Sequence, residues 1–270
     1  MGVAAGRREW RAPPTLEAMQ PAELVPPPAG GRVFVHGVRA ELGDVAPSGR
    51  ARLDALARWL QDAAFADWLD AAVDGGGVWV VRRLRMHVAR FPRFGETLEV
   101  TTFCSGTGAL WAERRYTVND DDGPVVEAVG LWVHLDPRGE RPMPLPAGFH
   151  AVYGTAAAGR RVRARLRHPA EPPPDAPARA WRFRAADLDL AGHVNNAIYW
   201  QVLEEDLVPA EPDGGLEAEI EHRAAADAGE AVVRADGAMR WIAAPDGAVL
   251  ATMALGAHEH DGDPAGRGRA

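Results

Sequence analysis

The chain has 270 residues, 47% of them hydrophobic and 25% charged, and a formal net charge of −8. No run of about 18 apolar residues is present, so a spanning helix is excluded, and the negative charge argues against a general nucleic-acid binder. Cys104 stands alone, which excludes an internal disulfide and a Cys/His zinc set. Every basic residue is arginine, which with the excess of Ala, Gly and Pro reflects genomic base composition. Arg7, Arg8 and Arg11 precede no apolar segment, so no signal peptide is expected and the cytoplasm is the expected location.

Residues 1–32 mix Pro, Ala and Gly without a period and read as a disordered arm. Val33–Glu41 alternates as a strand does, and Gly43–Gly49 is a turn. Arg52–Val73 places Leu53, Leu56, Ala57, Leu60, Ala63, Ala64 and Trp68 at helical spacing. Four strand-like runs follow, Val78–Ala89, Glu96–Ser105, Ala109–Val118 and Val125–Leu135, separated by turn signals such as Asp121-Asp122-Gly123. Prolines 142, 144 and 146 open a connector, and Pro169–Pro177 is a second break. A short apolar piece and the run Arg160, Arg161, Arg163, Arg165, Arg167 lie between them.

From Ala180 the order repeats: a strand to Ala185, a turn, a helix over Val194–Val208, then strand-like runs Leu216–Arg223, Glu230–Ala235, Ala238–Ala243 and Ala248–His258. The repeat extends to residues. At an offset of 143, Asp44 falls on Asp187, Gly49 on Gly192 and Leu60 on Leu203; at 134, Met86 falls on Ile220, Gly95 on Gly229 and Glu96 on Glu230; at 124, Leu131 falls on Leu255. A helix followed by an antiparallel meander buries its apolar stripe on the sheet, an α+β arrangement. The expected organisation is a first domain over 33–150, a linker over 151–179, a second domain over 180–260 and a disordered tail over 261–270.

The stretch Asp187-Leu-Asp189-Leu-Ala-Gly192-His193-Val194-Asn195-Asn196-Ala-Ile-Tyr199 carries the chemistry. Gly192 allows a left-handed backbone in the turn. His193 and Asn195 stand at the start of a helix, whose unpaired N–H groups can hold a carbonyl oxygen as it gains negative charge. A carboxylate just upstream can activate water or attack directly. The same residues also suit a plain turn, with Asp189, Asn195 and Asn196 as caps.

This pattern, Asp-x-Asp-x-x-Gly-His-Val-Asn-Asn-x-x-Tyr followed by Glu204-Glu205, resembles the active-site signature of hotdog-fold thioesterases. Arg58–Ala64, Trp79–Arg83, Arg90–Thr97 and Leu131-Trp132-Val133 resemble the first half of the plant and bacterial acyl-carrier-protein thioesterases. The resemblance spans roughly residues 33–258. It implies two tandem hotdog domains, each a long helix wrapped by an antiparallel sheet, and hydrolysis of acyl-[acyl carrier protein] to free fatty acid. It places Asp189 and His193 on catalytic positions, with Asn195 beside them. Gly192, Val194, Asn196 and Tyr199 would contact substrate, with an oxyanion donor near Gly192–Val194. Trp59, Trp68, Trp79 and Trp111 read by default as core residues, since large aromatics on apolar faces usually pack; one of them would close the acyl pocket, and Trp79 is the expected substrate contact.

Three positions depart from the family: Ala191, Ala225 and Ala226 stand where it carries Asn, Glu and Cys. The reading is therefore an Asp189-driven enzyme like the simpler single-hotdog 4-hydroxybenzoyl-CoA-type thioesterases. In the first half Ala46 replaces Asp189 and Arg50 replaces His193, so that half serves binding. No cofactor or metal is implied. Arg161, Arg163, Arg165 and Arg167 would share one face of an extended segment; such a run is usually a solvated linker or edge strand, and the sharper reading is a patch that docks an acidic carrier protein. An acyl-CoA thioesterase, a hotdog dehydratase and a lipid-binding pseudoenzyme are the alternatives, and a homodimer is allowed.

Overall fold

The computed structural model describes residues 24–257 apart from 74, 209–211 and 213. Most of the expected arm and the whole tail lie outside the described residues. The first half runs through β1 (Val33–Arg39), α1 (Leu53–Ala71), β2 (Val78–Val88), β3 (Thr97–Thr107), β4 (Trp111–Asp120) and β5 (Gly123–Leu135). Then come α2 (Phe149–Ala157), β6 (Ala178–Phe183), α3 (Gln201–Leu207), β7 (Leu216–His222), β8 (Gly229–Asp236), β9 (Met239–Ala243) and β10 (Val249–Ala257). The junction expected at 150/151 falls inside α2.

The strands form one antiparallel sheet in the order β1-β3-β4-β5-β2-β7-β10-β9-β8-β6. Replacing each strand of the first half by the one five places later reproduces the order read from the opposite edge. The halves are thus related by a pseudo-twofold between β2 and β7, as the sequence repeat predicts. Leu131 and Leu255 sit on the matching strands β5 and β10, and Met86 and Ile220 on β2 and β7.

The buried face of α1 is Leu53, Leu56, Leu60 and Ala63, each at most 1% exposed. They join one apolar cluster with Met86, Val100, Val118, Leu203 and Ile220, which spans both halves. Each fully buried leucine contributes about 2 kcal/mol. The helix ends at Ala72, which takes a left-handed φ of 47°.

The helix expected over Val194–Val208 is much shorter than its first-half counterpart. Val194 is held extended, bridged to Leu188 and donating its N–H to the Ala226 carbonyl at 2.8 Å. The Asn195 side-chain oxygen takes the N–H of Ala197, and its carbonyl takes the N–H of Ile198, each at 2.9 Å. Helical bonding therefore starts only with a 3-10 turn over Ile198–Trp200, and α3 itself has seven residues.

At the β2–β7 junction, the face opposite α1 is a charge ladder. Arg83 pairs in register with Glu221, Arg85 with Glu219 and His87 with Glu217, and the first two rungs are buried. The segment between α2 and β6 crosses this face. It bridges Thr107 through Arg161, accepts from Arg83 at the Arg165 carbonyl (3.0 Å), and donates the N–H groups of Arg167 and His168 to Glu221 at 2.6 and 3.1 Å. Its side chains alternate: Arg161, Arg163, Arg165 and Arg167 are exposed, and Val162, Ala164 and Leu166 are half-buried. It does this without joining a strand ladder.

Candidate active site

The motif forms a tight turn that repeats its first-half counterpart bond for bond. The Asp187 carboxylate accepts the N–H of Arg184 at 2.7 Å, as Asp44 accepts that of Glu41 at 2.9 Å. The N–H of Asp189 bonds the His193 carbonyl at 2.9 Å, as Ala46 bonds Arg50 at 2.8 Å. The N–H of Asn195 bonds the Asp187 carbonyl at 2.9 Å, as Arg52 bonds Asp44 at 2.8 Å. Gly192 and Gly49 hold φ of 78° and 85°, where a side chain would be strained.

On this frame Asp189 and His193 are both exposed, with Leu190 projecting fully into solvent between them. One carboxylate oxygen of Asp189 accepts the N–H of Ala191 at 2.8 Å, which fixes the side chain and leaves the other oxygen open to water. The amides of the turn differ from expectation. Gly192 donates to the Asp189 carbonyl at 3.0 Å and Val194 to Ala226, so within 192–194 only the His193 N–H is left to receive an oxyanion.

The other expected contacts divide. Asn195 is half-buried and spends its side-chain oxygen as a cap. Asn196 lines a narrow cavity between the halves. Tyr199 is a core residue, packed between Phe183 and His222 with ring centroids 5.1 and 4.9 Å away, and burial raises its phenol well above the ordinary value. Trp79 does not reach the motif. It packs with Trp68, His134 and Phe149 at the far end of β2.

The cavity is lined from α1 by Ala57, Leu60 and Gln61, from the motif by Asn196, Ala197 and Trp200, and from the sheet by Val81, Leu84, Tyr116, Trp132 and His222. Its aromatic wall is Trp132 and Tyr116, joined by an indole-to-phenol hydrogen bond of 3.0 Å, together with Trp200. Trp59 is core and Trp111 is anchored to the Val162 carbonyl, so none of the four tryptophans expected to close the pocket lines it. Gln61 and His222 carried no signal in the sequence beyond their place on predicted elements. Burial, aided by the Arg82 charge, depresses the His222 imidazole to about 3 and keeps it neutral.

The positions expected to carry the family's Glu and Cys, Ala225 and Ala226, adjoin the motif through the Val194–Ala226 hydrogen bond. Alanine supplies no acid, base or nucleophile there. A metal finds poor accommodation in the cluster His168, Glu219 and Glu221, whose ligand atoms lie within 4.8 Å of one another. Arg85 (3.9 Å from Glu219) and Arg223 (3.5 Å from Glu221) already balance its charge, and a bound cation would face both.

The paired α+β halves on one antiparallel sheet, with an open carboxylate on the turn of the second half, define a tandem hotdog protein. Residues 31–153 match the acyl-ACP thioesterase N-terminal domain and residues 171–232 the C-terminal domain. Together these span more than half of the chain, and the protein belongs to the acyl-ACP thioesterase family; it is a thioester hydrolase. It is 25% identical over 185 residues to an uncharacterised protein of Mycobacterium tuberculosis, covering 68% of this chain and 74% of that one. It is 23% identical over 220 residues to the acyl-[acyl-carrier-protein] hydrolase FATB2 of Cuphea viscosissima, covering 72% of this chain and 53% of the relative.

Solved thioesterase structures share the fold, two of them as follows. An acyl-ACP thioesterase from Bacteroides thetaiotaomicron aligns with a TM-score of 0.69 at 19% identity, over 83% of this chain and 97% of that one. The 12:0-ACP thioesterase of Umbellularia californica aligns at 0.66 and 18%, over 83% and 93%.

Proposed function

We propose that the chain releases free fatty acid from acyl-[acyl carrier protein], with Asp189 as the base, in cytoplasmic fatty acid biosynthesis. The observation that carries this reading is the asymmetry of two otherwise equivalent turns. Asp189 presents a fixed, solvent-facing carboxylate in the second, and Ala46 presents none in the first. Asp189 takes a proton from water as the water oxygen bonds to the thioester carbon. Collapse of the tetrahedral intermediate breaks the C–S bond, and the proton passes on to the departing thiolate. His193, next to the turn, would position the water. The relatives named acyl-[acyl-carrier-protein] hydrolases and 12:0-ACP thioesterase support the carrier protein as the donor. The exposed row Arg161, Arg163, Arg165 and Arg167 supplies a basic surface for an acidic carrier on a chain that is acidic overall.

Thiol release from one acyl group presented on carrier protein and on CoA tests the reading. The carrier-protein substrate is expected to give the higher kcat/KM. Preference for CoA would establish the acyl-CoA reading, and binding without thiol release would establish a lipid-binding protein.

A further inference from the structure

The pseudo-twofold assigns a residue of the first half to the active site of the second. The 143-residue equivalence seen in the turns carries Arg50 onto His193 and Leu53 onto Asn196, and it carries Gln61 onto Glu204. On the first-half side these positions form a closed group. Glu204, reaching from α3, accepts from the Arg50 guanidinium at 2.8 Å and from the N–H of Leu53 at 2.9 Å. Arg50 and Glu204 are both buried, so the place where a second site would lie is filled and neutralised.

The symmetry-related group on the second-half side is Gln61, His193 and the N–H of Asn196. Gln61 and Asn196 do line one cavity. Here the chemistry keeps the group open. Histidine is shorter than arginine, glutamine carries no charge, and His193 is exposed. Among the described residues, neither the Gln61 carboxamide nor the Asn196 N–H has a hydrogen-bond partner. Gln61 and Asn196 thus line one narrow cavity with these donors unpaired, and Asn196 belongs to the same motif as Asp189, whose turn amides Gly192 and Val194 are already occupied.

We propose that Gln61 is a catalytic residue contributed by the first half: its side-chain N–H, with the N–H of Asn196, holds the thioester carbonyl oxygen as charge develops on it. The proposal rests on the Asp189-driven hydrolysis above. It also gives the long first-half helix a chemical role besides lining the cavity between the halves.

The test is thiol release from an acyl thioester, as kcat and KM between pH 5 and 8.5, by wild type, Asp189→Asn, Gln61→Ala and Gln61→Glu. Loss of one oxyanion donor lowers kcat by about 10²-fold or somewhat more. Gln61→Ala is expected to show this with KM within a few-fold of wild type. Gln61→Glu has nearly the same shape, so it should fold as wild type does. Its carboxylate repels the oxyanion at pH 8, where the loss should exceed that of Gln61→Ala. Activity should recover relative to wild type as the glutamate protonates and becomes a donor. The inference is overturned if wild type is active, Asp189→Asn is impaired, and either Gln61→Ala keeps kcat within threefold or Gln61→Glu follows the wild-type pH profile. An inactive wild type, or an unimpaired Asp189→Asn, would instead overturn the reading on which it rests.

Discussion

Glu204 closes on Arg50 at 2.8 Å across the boundary between the halves, and its second carboxylate oxygen caps the first turn of α1 at Leu53. One side chain of the second half thus fixes both the charge and the helix start of the first. Removing one partner of a buried pair leaves the other charge uncompensated, at a cost of about 3–5 kcal/mol. Glu204→Ala and Arg50→Met should each destabilise on that scale in urea titrations. The double variant Arg50→Met/Glu204→Gln should lose clearly less than the sum, because glutamine still accepts from Leu53 and no charge is stranded. Additive losses would mean that the two residues act independently.

The buried His222 makes an acid-stability prediction. Its folded-state value, about 3, lies below the ordinary histidine value of 6.5. Between those two values the unfolded chain binds a proton that the folded chain refuses, so stability falls as pH drops through this window. The slope is up to about 1.4 kcal/mol per pH unit for one such group. His222→Gln removes the group, so unfolding free energy should decline less steeply than in wild type from pH 6 to pH 4. Parallel curves would show that His222 is protonated in the folded protein.

Much of the fold was legible because turn chemistry and strand periodicity are local. The glycine turns separate the strands to within about two residues, and the offsets 143 and 134 expose the duplication. The helix expected from Val194 starts only at Ile198, because the backbone before it is committed elsewhere. Val194 bonds Ala226, and Asn195 folds back onto Ala197. Distant pairing was invisible. Nothing in Arg83, Arg85 or Glu219 announces a ladder until β2 is laid against β7. Gln61 reads as an ordinary helix residue until the pseudo-twofold sets it opposite Asn196. The four tryptophans pack as large aromatics on apolar faces ordinarily do, but Trp79 lies away from the motif, because aromatic content cannot say which face of which strand meets the cavity.

The exposed arginine row gives a salt-dependent prediction. Arg163 and Arg165 face solvent while their backbone is tied to the sheet, the Arg165 carbonyl accepting from Arg83. Charge reversal at both should therefore leave the fold intact and slow encounter with an acidic carrier. kcat/KM for the carrier-protein substrate should fall most at low salt, since exposed charges are screened within about 10 Å at 0.1 M. Cleavage of a short pantetheine thioester should hardly change. An equal loss for both substrates would place carrier docking elsewhere.

The most direct test of the account is the turnover of Asp189→Asn beside that of Asp44→Asn. Asp189 carries the proposed base, whereas Asp44 holds the first-half turn through Glu41 and Arg58. Single-turnover and steady-state thiol release should show Asp189→Asn slower by about 10²–10⁴-fold, the scale for loss of a positioned base, with an unchanged circular dichroism spectrum. Asp44→Asn should keep most of its turnover and lose stability instead. Comparable turnover losses from the two substitutions, or near-normal turnover by Asp189→Asn, would contradict a single carboxylate-driven site in the second half.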